Sequence, residues 1–308
     1  MNIKGIIKLI VRIGIILSIF YFLGKSLQQN WAQVDFKQLH FNVPLLFVSV
    51  FFLFGYFLMY AFGWRLILKQ LDVSLPFLQG LKIIFYSQLG KYLPGKIWAW
   101  AGRMYFCQKI GISNRKSFIS MVLEVALEMT GSILIFLVAF SISPGFRTNI
   151  DPLFLIIVII ILPTIIYPKI LTKTINFFLR LIKKEPIEIN LNFSQICIIT
   201  GYYCITWFCF GIAFYFLINS VTFITPSKIP IITGSFAIAS TIGVIALFAP
   251  AGLGVREGIL ALLLNNFFPI SLAIFLSLLS RLWVTIGGLV MAGISTRIKL
   301  WNWKIKKK

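Results

Sequence analysis

Between Ile229 and Ala292 the chain is almost wholly apolar, yet it is interrupted by Ala249-Pro250-Ala251-Gly252-Leu253-Gly254-Val255-Arg256-Glu257-Gly258. A helix breaker, flexible glycines and two opposite charges stand together where hydrocarbon tolerates none of them. Unpaired charge and unpaired backbone groups are both costly in lipid. This segment must therefore be enclosed by protein or line a polar cavity, which makes it the first place to look for function.

The remainder of the chain sets the class. Of 308 residues 59% are hydrophobic and only 12% charged, against about a quarter charged in soluble domains. The apolar runs are about 20 residues long, the length of a membrane-crossing helix, and do not alternate as barrel strands do. The expected fold is an all-α integral membrane protein of about seven to eight transmembrane helices. Candidate spans cover about 5–24, 43–64, 117–141, 152–170, 195–218, 230–249 and 269–294. The stretch Met1 to Leu23 has the basic start and apolar run of a signal peptide, but Ser18-Ile19-Phe20-Tyr21-Phe22 offers no small-residue cleavage site, so a retained first span is expected. Two further apolar segments, about 75–100 and 252–267, are broken by Pro and Gly and read as re-entrant. Residues 1–308 form one membrane domain, with 171–194 as a cytoplasmic loop and 297–308 as a basic cytoplasmic tail.

Charge assigns the sides. The net charge of +21 comes from 29 basic and 8 acidic residues. These charges punctuate the spans and build no soluble basic face, so nucleic acid is not an expected partner. Lys4, Lys8 and Arg12, Arg65 and Lys69, Lys169 to Lys184, and Arg297 to Lys308 all fall at span ends that a positive-inside topology places in the cytoplasm. N- and C-termini are thus expected to be cytoplasmic in the cell membrane of a prokaryote. Because residues 65 and 116 belong on the same side, 66–115 must cross an even number of times, most simply as a hairpin around Leu93-Pro94-Gly95. A second hairpin is expected from 230–249 and 252–267. Two such hairpins entering from opposite faces would bring interrupted helices together, as in inverted-repeat transporters.

Three clusters could carry chemistry. From Lys82 to Lys116 there are seven basic residues and no acidic one, and the Gly90-Lys91-Tyr92-Leu93-Pro94-Gly95-Lys96 turn with Arg103 suits a phosphate headgroup on the cytoplasmic side. Trp98 and Trp100 are expected at headgroup depth. Glu124 and Glu128 stand four residues apart on one helix face, where they persist only if paired with cations, wetted or protonated. Arg103, Arg115 or Lys116 could partner them, as could Arg256 and Arg281. Finally, Pro250 is expected to end the sixth span and the glycines to turn the chain into a new helix near Val255. Arg256 and Glu257, being adjacent, are expected to point to different sides of it without pairing. Gly252, Gly254 and Gly258 miss the dinucleotide fingerprint by one residue. His40 has no Cys or carboxylate cluster around it, and the four cysteines lack metal-ligand spacing, so neither a metal nor a cofactor is expected. Tyr202, Tyr203 and Trp207 read as packing residues.

The motifs Gly90-Lys91-Tyr92-Leu93-Pro94-Gly95-Lys96 with Arg103, Gly111-Ile112-Ser113, Glu124 with Glu128, and Pro250 to Gly258 resemble those of the lysylphosphatidylglycerol synthase transmembrane-region, or flippase-like, family. The chain departs from that pattern at Trp98-Ala99-Trp100, where many relatives carry Gly-Glu. The resemblance implies about eight spans with re-entrant segments and the moving or binding of a lipid, either an aminoacylated phospholipid or a polyprenyl-phosphate-linked glycan. The expected function is a lipid flippase or lipid-binding transporter for such an anionic or aminoacylated lipid. Its substrate-binding residues would be Lys91, Lys96, Arg103, Glu124, Glu128, Arg256, Glu257 and Arg281. The alternative is an integral-membrane enzyme, with Glu124 or Glu257 as general base, or an accessory subunit. Membrane lipids are the expected partners, together with lipid or glycan biosynthesis enzymes. The soluble aminoacyltransferase domain of the resistance factors in that family is not recognisable in 1–308, so charging of a lipid is not expected.

Overall fold

A computed structural model of the chain describes residues 41–92, 98–143, 167–181, 186, 191–246 and 249–298. The described residues are helical and contain no strand. The helices are α1 (Val43–Gln70), α2 (Phe77–Gln88), α3 (Trp98–Lys109), α4 (Asn114–Ile142), α5 (Pro168–Leu181), α6 (Phe193–Asn219), α7 (Ile229–Ile245), α8 (Val255–Leu264) and α9 (Ile270–Thr296). Short 3-10 turns at Leu89–Tyr92, Pro226–Lys228 and Pro250–Gly252 join some of them. The expected spans 5–24 and most of 152–170 lie outside the described residues, as do His40, Leu93-Pro94-Gly95, Lys96 and most of the C-terminal tail.

Among the described residues five helices are long and apolar enough to cross a bilayer: α1, α4, α6, the Pro226–Ile245 unit containing α7, and α9. At about 1.5 Å per residue, 20 residues reach the roughly 30 Å of a hydrocarbon core. Their outer faces carry large apolar side chains, among them Phe47, Phe51, Ile198, Ile205, Leu282 and Ile286. In water such a belt would be an association surface, whereas in lipid it is solvated. The helix starts are written locally. Asn42 accepts the Leu45 N–H at 3.1 Å ahead of α1, and Ser113 accepts that of Lys116 at 3.3 Å ahead of α4.

Two ends differ from expectation. Helix α1 runs past 64 to Gln70, because Ile67 and Leu68 still bury and the Arg65 Nε–H finds the Leu75 carbonyl at 2.8 Å. Helix α7 stops at Ile245, several residues before Pro250, where Ala246 leaves helical geometry. The first part of the expected loop 171–194 is the amphipathic helix α5. Its Leu171 is buried, while Lys169, Lys173 and Arg180 carry the opposite character.

Packing follows the small-residue logic of membrane interiors, where dispersion and interhelical hydrogen bonds hold helices together. Helices α1, α4 and α6 meet around buried Tyr203. A Cβ at Gly63 would lie 3.0 Å from its ring, and one at Gly131 would lie 3.2 Å from its Cβ. Helices α6 and α7 cross so closely at Gly211 that a Cβ there would overlap Thr233 at 1.7 Å. Polar ties cross the same seams. Ser49 Oγ donates to the Ala213 carbonyl at 2.9 Å, Tyr202 OH donates to that of Met59 at 2.9 Å, and the Ser132 and Thr241 hydroxyls bond each other.

Short helices complete the body. Helices α2 and α3 fold back on each other: a Cβ on Gly102 would lie 3.6 Å from the Ser87 Cα, and one on Gly90 would lie 2.7 Å from the Trp98 carbonyl carbon. Helix α8 has 10 residues, a rise of about 15 Å, and packs against α7 and α9. The turn Leu89–Tyr92 touches the turn Pro250–Gly252. Thus the two Pro/Gly-broken segments meet at their turns.

Candidate functional site: a charged cavity where the broken segments meet

Beside that meeting point lies a cavity of about 620 Å³. Its walls come from seven helices and one turn, and they gather charges that are far apart in sequence. Arg103 from α3, Glu124 and Glu128 from α4, Arg256 from α8 and Arg281 from α9 all line it, with Tyr60 of α1 and Trp100 of α3 beside them.

On one side, Arg103 is paired with Glu124, its Nη1 donating to Oε2. Both side chains are buried, with 8% and 2% exposure. The guanidinium also sits 4.9 Å from the ring centre of Trp64, whose indole N–H donates to Ser120 Oγ at 3.0 Å. The quadrupole of the ring therefore contributes to holding the cation. Glu128 stands one turn further along α4 and lines the same cavity. Among the described residues it forms no ion pair.

On the other side, Ala251, Gly252 and Gly254 have φ of 50°, 68° and 80°, so the chain turns through the left-handed region before α8 begins. Gly252 is further fixed by crowding, since a Cβ there would lie 2.9 Å from the Cα and carbonyl oxygen of Gly243. Glu257, in the first turn of α8, bends back and accepts the Gly254 N–H at 2.7 Å through Oε2. This is the reach of a capping carboxylate, favoured at a helix N-terminus. Its other oxygen, Oε1, accepts from Arg281 Nη1 at 3.0 Å and lies 3.4 Å from Arg256 Nε. Arg281 Nη1 also donates to the Ala251 carbonyl at 3.1 Å, so α9 holds the turn in place. The Arg256 guanidinium stacks 5.1 Å from the Phe236 ring centre.

The contact between Arg256 and Glu257 corrects the expectation that these neighbours stay apart. Side-chain directions at adjacent helical positions do diverge, but here the carboxylate folds back to cap the helix and the long arginine stem returns over it. Helix α8 does begin at Val255. Of the cations named as possible partners of Glu124, Arg103 is the one that pairs with it, and it lines the same cavity as Arg256 and Arg281. Lys96 lies outside the described residues, and of the Lys91 side chain nothing is described. Trp98 is exposed, whereas Trp100 lines the cavity.

Sequence reasoning passed over Tyr60 and Thr285, which with Ser87 and Gln88 add uncharged polar groups to the walls. Only the polarity of Gln88 at the end of an apolar helix gave a signal for any of them. Among the described residues no group of three or more His, Cys, Asp and Glu side chains is placed to hold a metal ion. The cavity's chemistry is that of charge pairing, suited to hold an ionic group inside a membrane body. The sequence matches the family described as lysylphosphatidylglycerol synthase TM region over residues 9–292. No curated protein matches the chain.

Proposed function

On the premise that this chain belongs to the lysylphosphatidylglycerol synthase TM region family, we propose that it binds and moves a membrane lipid, with the headgroup passing through the charged cavity. The observation that carries this reading is the convergence of Arg103, Glu124, Glu128, Arg256 and Arg281 on one cavity inside a multi-pass helical membrane protein. Bringing a charged headgroup through bare hydrocarbon costs several kcal/mol or more, and a lined polar path removes most of that barrier. The acyl chains would remain in the surrounding lipid.

In this reading α2/α3 and α7/α8 are re-entrant hairpins that enter from opposite faces and meet at their turns. Helices of 12 and 10 residues rise about 18 and 15 Å, half the hydrocarbon thickness. Arg256 and Arg281 receive the phosphate near the midplane, Arg103 extends the path, and Glu257 fixes the two arginines in place. The N- and C-termini lie in the cytoplasm.

Reconstitution into liposomes with a labelled phospholipid tests the proposal. Intact lipid should redistribute between leaflets, and Arg256→Ala should slow that redistribution about tenfold or more, the loss of one charge-assisted contact. Unchanged transport by a well-folded Arg256→Ala protein would rule out the assigned path. A product of altered mass would instead identify an enzyme.

A further inference from the structure

The charges around the cavity do not cancel where they stand. Arg103 and Glu124 form a one-to-one pair. Glu257 is shared between Arg256 and Arg281, so the α8/α9 side keeps one positive charge with no carboxylate of its own. The surplus is visible at Arg256, whose Nη2 is buried without a hydrogen-bond partner. Glu128 is its opposite. It lines the cavity from α4, and no lysine or arginine among the described residues lies within ion-pair distance of it. Of the elements packed on α4, α3 brings Arg103, already paired with Glu124, α1 and α6 bring Tyr60 and Tyr203, and α7 carries no ionisable side chain.

We propose that the cavity takes a zwitterionic headgroup, one phosphate joined to one ammonium, with the phosphate at Arg256 and Arg281 and the ammonium at Glu128. The proposal rests on the headgroup reading of the cavity and narrows it to amine-bearing phospholipids of the phosphoethanolamine class. Desolvating an ion is repaid only by a partner of opposite sign. A phosphoglycerol headgroup satisfies the arginines and leaves the Glu128 carboxyl without a cation. A purely cationic headgroup satisfies Glu128 and leaves the guanidinium surplus facing a cation. A zwitterion answers both at once and leaves the cavity neutral. Tyr60 and Trp100, which line the same cavity as Glu128, add aromatic surface of the kind that receives an ammonium. Glu128 is in this account the residue that selects among lipids sharing the same phosphate.

The test compares soluble short-chain lipids binding to the purified full-length protein in detergent, read by calorimetry. Dihexanoyl phosphatidylethanolamine carries both charges. Its N-acetyl derivative keeps the phosphate and loses the cation, and dihexanoyl phosphatidylglycerol offers the phosphate alone. The wild-type protein should bind the ethanolamine lipid about tenfold or more tighter than either of the others, the effect of one well-placed charge pair. Glu128→Gln should weaken the ethanolamine lipid to the level of its N-acetyl derivative. Equal binding of all three lipids by the wild type would overturn the zwitterion while leaving a headgroup site, and so would a preference that survives Glu128→Gln. That first comparison needs no variant, so it holds even if Glu128→Gln does not fold. Failure of every lipid to bind would take down the headgroup reading with it.

Discussion

The two sides of the cavity solve the same problem with different arithmetic. On the α3/α4 side one carboxylate faces one guanidinium, and Trp64 covers the cation. On the α8/α9 side a single carboxylate holds two guanidiniums, caps a helix and, through Arg281, braces a left-handed turn. The first arrangement is complete in itself. The second is overcommitted, and its excess charge is available to something that enters. The two carboxylates are equally buried, but Arg256 and Arg281 are more open than Arg103, at 13% and 18% exposure against 8%, so stoichiometry and access together make the α8/α9 side the more receptive.

The sharpest way to break that comparison is to neutralise each carboxylate. Glu257→Gln leaves two buried guanidiniums opposed and weakens the α8 cap, so it should destabilise the protein by about 3–5 kcal/mol, the range for breaking a buried pair. Glu124→Gln strands one cation that Trp64 still covers, and its cost should fall below that of Glu257→Gln. Chemical or thermal unfolding of the two variants in the same detergent checks the order. A reversed order would mean that the one-to-one pair is the more essential of the two. Next in size is Gly252→Ala, which forces a side chain onto φ of 68° against the Gly243 backbone. Strain of this kind costs about 1–3 kcal/mol before the clash is counted, and it should lower the unfolding midpoint accordingly. The corresponding change in the first hairpin is Gly102→Ala. It meets Ser87 at an ordinary 3.6 Å within a helix, so it should be neutral or stabilising by up to about 1 kcal/mol. If the two alanines behave alike, the hairpins are not as different as their backbones indicate.

The spans were legible because hydrocarbon imposes a length and a composition that few other environments share. Their ends were less so. Arg65 and Lys69 read as the end of a span, but both residues are good helix formers, and α1 continues to Gln70. The turn at Pro250 was visible because Ala-Gly-Leu-Gly has little use except to bend. The pairing within it was not, since nothing in adjacent Arg256 and Glu257 reveals that the carboxylate will fold back to Gly254. Arg103 illustrates the wider limit. Its charge and its candidacy as a partner of Glu124 could be read, but the pairing itself depends on how α3 docks on α4, which is a property of the packed body. Tyr60 and Thr285 stand at ordinary positions of apolar helices, and only three-dimensional neighbours give them a place in the wall.

Lys82 stands on α2, the helix whose last residues Ser87 and Gln88 line the cavity, and donates to the carbonyl oxygens of Thr296 and Ile298 at the end of α9. Arg281 is on that same helix, four turns earlier. Moving α2 along its own direction would therefore strain both bonds unless the end of α9 moved with it. Strain along α2 would thus be shared with α9, the helix that seats Arg281.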